Sequence, residues 1–543
     1  VEAQAVPAVG DTNVGRFFTH LRSGTEKVLV VRTDLYTAEI STRGGLVRKW
    51  NLTRYKTWDG HPVPMVERAS GGDFSILFAT SDGRLVNTRH LFFASDFPPG
   101  RTVTLAGTDS LTVELRLPIP GGRSITKRLR FRNGLYSFAA DLVFRNMRDV
   151  IPDREYQVLW ERGVRFAEHN SVDEAGFAKA FAYSGGELAE FEAPEGDNPA
   201  PTDKTGATEW VAARNKYFAA ALLPEEGRGR GYLLGGVRSA LPDKGISESY
   251  SLAVKMPLGG ALQDSGRLTV FLGPLDFDVL KSYGRGLDQM LSLGAAWIIR
   301  PISEYVMLPL FQFLRWIIPN FGVVIIVFSL IIKVVLHPLS RTSMRSMKRM
   351  QALQPMMEEI RKKHKDDPQK INQQVMNLYK EYGVNPASGC LPLLLQMPIL
   401  FALYAVFSSA IELRQAPFVW WITDLSIPDV VTRLPFELPL FGIRAVSGLA
   451  LLMGATMFIQ QKMTVTDPRQ QAMVWMMPLM MTLLFNNFPS GLNLYYFVFN
   501  LLSILQQFWI NKQHGSEPLR KAEPRKNRGG IMGRITRELP KLK

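Results

Sequence analysis

Hydrophobic residues are distributed differently in the two halves of this 543-residue chain. Residues 1 to about 300 contain polar side chains throughout and no apolar run of the roughly 20 residues that cross a bilayer. Five segments beyond residue 300 are long and apolar enough to cross a bilayer. The pattern therefore predicts a soluble first half followed by a polytopic α-helical membrane half. The five predicted spans are 320–339, 391–411, 445–461, 471–487 and 491–511.

The segment 300–318 differs from these spans because it mixes Glu304, Gln312 and Arg315 with bulky apolar residues. Such a helix lies in the plane of the membrane interface, so we expect an interfacial amphipathic helix here. A sixth span in this chain is the alternative. Residues 1–15 resemble a linker, and we expect an N-terminal anchor or a cleaved signal upstream of it.

Residues 16–295 show the alternation and the turn signals of a β-domain. Residues 27–42 alternate as one strand, and Gly44-Gly45 follows as a turn. Three further strand-like segments between residues 110 and 146 are separated by Pro-Gly-Gly and by Asn133-Gly134. Asn-Gly is a strong hairpin signal. We therefore expect a large antiparallel β-sandwich.

This predicted β-domain carries no recognisable catalytic or metal-binding motif. It has no nucleotide-binding loop, no nucleophile elbow and no zinc-protease sequence. The single cysteine of the chain, Cys390, excludes an intrachain disulfide. The composition favours a scaffold or docking domain with no cofactor and no metal. The histidines without metal-ligand spacing are His20, His61, His90 and His169.

Positive charge is concentrated in alternate segments of the predicted membrane half. Residues 341–381 carry a net +5 and residues 512–543 a net +7, which together account for +12 of the chain's +15. The 412–444 loop, which contains Trp420 and Trp421, has a net charge of −1. Because cytoplasmic loops are the positive ones, the basic segments are predicted to be cytoplasmic and residues 1–300 to lie outside.

Lys333 lies inside the first predicted span, where an ammonium group costs about 2.5–3.5 kcal/mol. Ser329, Lys333 and His337 recur every fourth residue and therefore share one helical face. The last span has a similar polar stripe, and no predicted span contains Asp or Glu. The residues of that second stripe are Tyr496, Asn500, Ser503 and Gln507.

Two aligned polar stripes and an intramembrane cation favour a shared, water-accessible groove that attracts negative charge on a substrate. Two alternatives stay open. Lys333 can snorkel to the interface along its four-carbon stem, and the other polar residues can form ordinary interhelical hydrogen bonds.

Residues 341–388 are predicted to form a cytoplasmic helical hairpin. Asp367 suits the N-cap of its second arm, and Pro368 suits the first helical position. Met344, Met347 and Met350 follow one another at three-residue spacing on the first arm. They either pack the two arms together or offer an adaptable apolar surface for substrate segments.

A cluster of basic residues marks the tip of this hairpin. Such clusters are commonly solvated or attracted to anionic lipid. Together with the basic tail at 512–543, this one can also bind ribosomal RNA through its phosphates. The residues are Arg361, Lys362, Lys363 and Lys365.

Several long motifs occur in a fixed order between Trp316 and Trp509. By these motifs the chain resembles the YidC/Oxa/Alb family of membrane protein insertases, in the Gram-negative form with a large periplasmic domain. The segments TDLYTAEISTRGG (33–45) and FLGPLDFD (271–278) are also similar to the family. The motifs are LHPLSRTSMRSMKRMQALQP (336–355), LYKEYGVNPASGCLPLLLQMPI (378–399), ELRQAPF (412–418), VTDPRQQ (465–471) and FPSGLNLYY (488–496).

The resemblance implies a β-supersandwich periplasmic domain, related in shape to sugar-mutarotase folds, and a helical core in the bacterial inner membrane. It also implies a hydrophilic groove that opens to the cytoplasm and the lipid. Lys333 falls where the family usually has the groove arginine, and Tyr496 falls on the family's substrate-contacting tyrosine. Asn486 and Asn487 depart from the family because apolar or aromatic residues are expected there.

The predicted function is a non-enzymatic insertase and chaperone for nascent inner-membrane proteins, acting alone or with the Sec translocon. The resemblance implies nascent membrane proteins, the ribosome, the SecYEG and SecDF components and the phospholipid bilayer as partners. The alternatives are a channel or transporter, and a scaffold for membrane-protein assembly.

Overall fold

The computed structural model describes residues 13–67, 71–194, 201–295, 297–365, 367–384, 391–438, 442–464 and 471–513. The predicted linker as far as residue 12, Cys390 and the tail beyond residue 513 lie outside the described residues. Contacts divide the chain into two units, Val1–Leu291 and Ser292–Lys543. The division falls close to the predicted boundary at residues 295–300.

Strands make up most of the first unit, as the residue pattern predicts. Its short helices are α1 (Gly15–Phe18), α2 (Ser171–Ala175) and α3 (Phe277–Ser282), with 3-10 turns at Thr19–Leu21, Thr88–His90, Pro242–Lys244 and Leu287–Met290. Its strands are β1 (Val28–Arg32), β2 (Tyr36–Ser41), β3 (Leu46–Lys56), β4 (Pro62–Glu67), β5 (Ser75–Ala79), β6 (Leu85–Asn87), β7 (Thr102–Thr104), β8 (Ser110–Ile119), β9 (Arg123–Arg132), β10 (Ser137–Arg145), β11 (Glu155–Trp160), β12 (Lys179–Ser184), β13 (Glu187–Phe191), β14 (Thr202–Thr205), β15 (Thr208–Arg214), β16 (Phe218–Pro224), β17 (Gly231–Ala240), β18 (Ile246–Pro257) and β19 (Gln263–Pro274).

In the described residues of the first unit, the strands form three sheets. Their orders are β4-β3-β2-β1-β7, β13-β12-β15-β16-β19-β10-β9-β8 and β14-β17-β18-β11-β5-β6. The predicted antiparallel pairing is confirmed except between β1 and β7, which run parallel. Trp50 of β3 lies 6.0 Å from Phe138 of β10, and Phe144 of β10 lies 4.5 Å from Tyr156 of β11, measured between ring centroids. Aromatic rings therefore join the longest sheet to each of the other two.

The predicted single strand over residues 27–42 is wrong, because a turn at residues 33–35 divides it into β1 and β2. The Thr33 hydroxyl oxygen accepts the N–H groups of Leu35 and Tyr36 at 3.2 and 3.0 Å. A threonine that bonds its neighbours' backbone in this way competes with the strand ladder. The predicted turn at Gly44-Gly45 is confirmed, with φ of +72° and +58°, values that glycine adopts without steric cost.

Lys127 of β9 is a buried cation that supports this turn. Its ammonium donates to the carbonyl oxygens of Gly44 and Gly45, both at 3.0 Å, and of Phe74 at 2.7 Å. Phe74 has a φ of +84°, which is rare for a bulky residue. Burial lowers the pKa of Lys127 well below its ordinary value, while the three acceptors match the three N–H donors of an ammonium group.

We expect Lys127→Met to lower the free energy of unfolding by about 2–4 kcal/mol, because it leaves three buried carbonyls without their donor. The measurement is thermal unfolding of the whole chain in detergent, followed by near-ultraviolet circular dichroism. Lys204→Met, on an exposed position of β14, is the matched control and should leave the unfolding midpoint unchanged. Equal midpoints for the two variants would contradict the role given to Lys127.

The second unit is mainly helical in its described residues. A π-helical turn at Ser303–Met307 joins its first two helices, and a 3-10 turn lies at Ile411–Leu413. The elements are α4 (Ile299–Ile302), α5 (Leu308–Ile317), α6 (Phe321–Val335), α7 (His337–Ala352), α8 (Gln354–Lys363), α9 (Pro368–Glu381), α10 (Leu391–Ser409), β20 (Val430–Leu438), β21 (Ile443–Ser447), α11 (Gly448–Thr464), α12 (Gln471–Phe485) and α13 (Ser490–Gln513).

Helix α13 is central to this unit because it packs against both α6 and α11, while α11 also packs against α12. Helices α6 and α7 meet at Leu336 with a bend of 64°. Pro338 lies in the first turn of α7, where it disfavours a continuous helix through the residues before it. Among the described residues, no single helix has both the length and the hydropathy to cross a bilayer, and α6 and α7 meet these two criteria only when taken together as a bent pair.

The prediction of a span that begins at residue 445 is wrong at its N-terminal end. Residues 443–447 belong to β21, which pairs with β20 in an antiparallel hairpin, and helix α11 starts only at Gly448. The β-branched residues Ile443 and Val446 favour a strand before the glycine. The β-branched run Val430, Val431 and Thr432 is a strand signal within a segment that was predicted to be a connecting loop.

The predicted cytoplasmic hairpin consists of α8 and α9, with α7 leading into the first arm. The side chain of Asp367 accepts the N–H of Lys370 at 3.0 Å, and Pro368 is the first residue of α9, so both predicted cap positions are confirmed. The core of the two arms contains Leu353, Met357, Leu378 and Val384, against which the partly buried Met350 and Met356 pack.

Candidate functional site

The predicted polar stripes of α6 and α13 meet at Lys333. The ammonium of Lys333 donates to the Ser503 hydroxyl at 2.6 Å and lies 4.5 Å from the ring centroid of Phe499. The Ser503 hydroxyl in turn donates to the Phe499 carbonyl at 2.8 Å. Lys333 is 7% exposed and Ser503 is 1% exposed. A single hydroxyl and one aromatic face are therefore the recorded partners of a buried cation.

The Lys333 ammonium has no salt bridge with any carboxylate among the described residues. A buried charge ordinarily requires an ion pair or several hydrogen bonds. A cation–π contact contributes about 0.5–2 kcal/mol, and a hydrogen bond to a neutral hydroxyl is weaker than one to a carboxylate. The charge is consequently only partly compensated by the protein, which leaves a carboxylate as the better partner.

The remaining residues of the two stripes have separate surroundings. The Ser329 hydroxyl donates to the carbonyl of Ile325, within its own helix, at 2.7 Å. Asn500 and Gln507 are buried, at 9% and 4% exposure. The structure therefore brings Lys333 and Ser503 together, while Ser329 is bonded to its own helix one turn away.

His337 contacts Gln506, a residue that was not among the predicted site residues. The Nδ1 atom of His337 lies 3.1 Å from Nε2 of Gln506. The Gln506 Nε2 also donates to the Ser340 hydroxyl at 3.4 Å. Gln506 precedes Gln507 by one position, so the spacing rule that selected Gln507 placed Gln506 about 100° away around the helix. The facing residue depends on how α6, α7 and α13 cross, which spacing within one helix does not specify.

Tyr496 does not contact Lys333. Its ring packs edge-on against Phe485 of α12, with centroids 5.3 Å apart, and against Tyr495 at 5.1 Å. Its hydroxyl is buried and has no hydrogen-bond partner within the described residues.

The predicted recruitment residues of the hairpin divide into two groups. Met344 is buried and Met347 is half-buried, whereas Met350 packs against the hairpin core. Packing between the arms therefore accounts for Met350, one of the two alternatives given for the methionines. The basic residues at the tip are accessible at Lys362, Lys363 and Lys365, and Arg361 is half-buried.

A buried carboxylate at the other end of the helical unit was not predicted as a site. Asp429 is 4% exposed, and its oxygens accept from the Ser447 hydroxyl at 2.5 Å, the Leu449 N–H at 2.8 Å and the Trp421 indole N–H at 2.8 Å. The N-terminus of α11 carries a partial positive charge that favours this anion. Asp429 thus links the 412–429 loop to the first turn of α11.

Two asparagines extend this network to α12 and α13. Asn486 accepts the Ser447 N–H at 2.9 Å and donates to the Ala445 carbonyl at 2.8 Å. Asn493 donates to the Phe485 carbonyl at 3.1 Å. Asn486, which departs from the family, is therefore hydrogen-bonded to β21. We call Asp429, Ser447, Asn486 and Asn493 together the Asp429 network.

The second unit also exposes many large apolar side chains on its helices. Such surface is unusual for a protein in water and typical of helices that face lipid. No group of three or more potential metal ligands occurs among the described residues. The exposed residues include Leu330, Val334 and Val335 on α6, Trp475, Met476 and Leu479 on α12, and Leu505, Phe508 and Trp509 on α13.

Comparisons with known proteins define the class of this chain. Residues 313–517 match the family described as 60Kd inner membrane protein, and residues 28–304 match the YidC periplasmic domain. The class is thus an inner membrane protein with a periplasmic domain.

Individual relatives specify the family further. The chain is 38% identical to the membrane protein insertase YidC of Chlorobaculum parvum over 514 residues, which is 94% of this chain and 86% of that protein. It is 39% identical to the YidC of Chlorobium phaeovibrioides over 503 residues, 91% of this chain and 85% of that protein. An active YidC insertase crystal structure covers 90% of this chain and 96% of its own, at 20% identity and a TM-score of 0.37. The chain belongs to the YidC family of membrane protein insertases, which confirms the prediction of an insertase rather than an enzyme.

Proposed function

We propose that this insertase transfers hydrophobic segments of nascent inner-membrane proteins into the bilayer through the interface of α6 and α13. The observation that carries the proposal is the buried hydrogen bond of 2.6 Å between the Lys333 ammonium and the Ser503 hydroxyl. In the proposed step, the short polar end of a substrate enters this interface, and an acidic residue of the substrate replaces Ser503 as the partner of Lys333.

The exchange is favourable because a carboxylate adds charge–charge attraction to the hydrogen bond, and this attraction is stronger in a buried site than in water. The pairing also compensates the charge of the Lys333 ammonium and that of the substrate carboxylate at once. Either charge alone is costly to bury in hydrocarbon. Ser329, His337, Asn500, Ser503 and Gln507 would offer polar partners along the path, and Tyr496 would contact the apolar segment. The segment then leaves sideways into lipid, so no nucleotide or cofactor is required.

The proposed topology has five spans, formed by α6, α10, α11, α12 and α13, with α7, α8 and α9 in the cytoplasm. The positive charge of 341–381 supports this orientation, as do the exposed apolar side chains of α6, α12 and α13. The 299–317 helix would lie in the interface, because it exposes Tyr305, Phe313 and Trp316 while Arg300 pairs with Glu304 at 3.5 Å. The Asp429 network would then close the periplasmic end.

The ribosome is the proposed partner of the hairpin tip and the basic tail, and SecYEG and SecDF are proposed partners on the strength of the family alone. Exposed lysines at 362, 363 and 365 suit a phosphate surface. Replacing Arg361 and these three lysines by glutamine should weaken cosedimentation with ribosomes about tenfold or more and reduce its salt dependence. An all-arginine version of the three lysines keeps the charge and should bind as the original does. Unchanged binding of the glutamine variant would contradict this role.

Reconstitution tests the proposed function against its main alternative, a channel or transporter. Purified protein in sealed vesicles should insert a small substrate with an acidic tail into the bilayer and pass no entrapped solute. Solute flux without insertion would instead support a channel or transporter.

A further inference from the structure

The first unit contains a cleft between the β2–β3 turn and the 3-10 turn at residues 88–90. Its walls are mainly cationic. Arg48 lies 3.6 Å from Glu26, the one acidic residue among the lining side chains. The residues that line the cleft include Glu26, Arg43, Arg48, Gly71, Arg89 and His90.

The guanidinium of Arg89 is held in a fixed position at the wall of this cleft. It donates to the Gly72 carbonyl at 2.8 Å, lies 3.6 Å from the Asp73 carboxylate and contacts the Glu161 carboxylate. An arginine whose geometry is already fixed loses less conformational entropy when it binds a further acceptor. Gly71 presents no side chain here, and a Cβ at that position would lie 3.4 Å from Nη1 of Arg89.

The electrostatic potential in the cleft is positive. Burial and then the neighbouring guanidiniums of Arg89, Arg43 and Arg22 hold the pKa of His90 below its ordinary value. The negative charge of Glu26 lowers this potential, and the carboxylates of Asp73 and Glu161 partly neutralise the Arg89 guanidinium. The cations outnumber the carboxylates, so an anion entering the cleft gains attraction.

Glu26 adds a second requirement for a ligand. Its carboxylate accepts from the Ser41 hydroxyl at 2.5 Å and faces Arg48, and a carboxylate retains further acceptor sites. A suitable ligand therefore has an anionic oxygen group for Arg43 and Arg89 and a hydroxyl that can donate to Glu26. A phosphate ester of a small polyol has both.

We propose that this cleft binds the phosphate ester of a small polyol, as a soluble molecule or as the headgroup of an anionic lipid. The proposal is independent of the insertase mechanism, since it concerns only residues of the first unit.

The test is calorimetric titration of the whole chain in nanodiscs with sn-glycerol 3-phosphate at low ionic strength. We expect saturable binding that weakens as salt is added. Arg43→Gln should weaken the binding about fivefold to tenfold, because it removes an exposed cation without disturbing the core. Glu26→Gln should tighten the binding of inorganic phosphate about twofold or more, because it removes the opposing charge. Arg130→Gln, at an exposed position of β9 away from the cleft, is the matched control.

Lipid composition distinguishes the two sources of the ligand. If the cleft takes a lipid headgroup, nanodiscs of phosphatidylglycerol should weaken the apparent affinity for the soluble ester relative to phosphatidylcholine, and Arg43→Gln should remove that difference. If it takes a soluble ester, both lipids should give the same affinity. The absence of saturable binding, or equal binding by Arg43→Gln and Arg130→Gln, would overturn the proposal.

Discussion

Lys333→Glu is expected to slow the insertion of substrates with short acidic tails by about 100-fold. The variant places a carboxylate where the substrate's own carboxylate has to pass, and like charges in a buried site cost several kcal/mol, with about 1.4 kcal/mol per factor of ten in rate. Ser503 would still offer a hydroxyl, but a hydroxyl does not compensate two anions. The measurement is the initial insertion rate of a purified substrate into proteoliposomes that contain each variant.

Two further variants separate charge from geometry. Lys333→Arg keeps the cation and adds a fork that binds carboxylates with two hydrogen bonds, so insertion should match or exceed that of the original chain. Lys333→Ala removes the attraction without adding repulsion and should reduce the rate by a smaller factor than Lys333→Glu. Lys462→Glu, at an exposed position of α11, carries the same charge reversal outside the interface and should have little effect.

Changing the substrate makes this experiment decisive. Replacing the acidic residues of the tail by asparagine and glutamine should remove most of the difference between Lys333 and Lys333→Glu. Replacing them by lysine should reverse it, so that Lys333→Glu inserts the basic tail faster. Normal insertion of every substrate by both Lys333→Ala and Lys333→Glu would show that the proposed role of Lys333 is wrong. An assembly scaffold predicts that outcome.

Signals carried by neighbouring residues gave the correct local structure. The Asn133-Gly134 pair predicted the connection between β9 and β10, and Gly134 has the expected left-handed φ of +79°. Asp367 and Pro368 predicted the start of α9. Each prediction depends on the backbone preferences of two or three adjacent residues, so no knowledge of the rest of the chain is needed. The prediction of one continuous strand through Thr33 failed because threonine suits both a strand and a turn.

Contacts between distant residues were only partly predictable. The helical period placed Lys333 and Ser503 on polar faces, but the choice of Ser503 as the partner depends on the crossing of α6 and α13. The same dependence explains why Gln506 was missed. Asp429 looked like an ordinary loop charge because two of its partners, Ser447 and Leu449, follow 18 and 20 residues later in the chain. Asn486 was recognised as a departure from the family, yet its partner β21 was not predicted at all.

The Asp429 network should be the main determinant of stability at its end of the helical unit. Asp429→Ala leaves three donors without an acceptor, namely the Ser447 hydroxyl, the Leu449 N–H and the Trp421 indole. We expect the free energy of unfolding to fall by about 2–4 kcal/mol, because each unsatisfied buried donor costs about 1–3 kcal/mol and some relax toward water. Thermal unfolding in detergent measures the loss, and fluorine NMR of 5-fluorotryptophan at Trp421 reports the local change.

Controls distinguish this network from charge removal in general. Glu437→Gln breaks an exposed ion pair with Arg444 in the same β20–β21 hairpin and should change stability by less than about 1 kcal/mol. Asp429→Ala and Asn486→Leu both act through Ser447, so their combined effect should differ from the sum by about 0.5 kcal/mol or more. Strictly additive effects, or an unchanged Trp421 resonance in Asp429→Ala, would show that Asp429 does not connect these elements. Non-additive effects together with a shifted resonance would mean that the loop, α11 and the end of α12 are held together through Ser447.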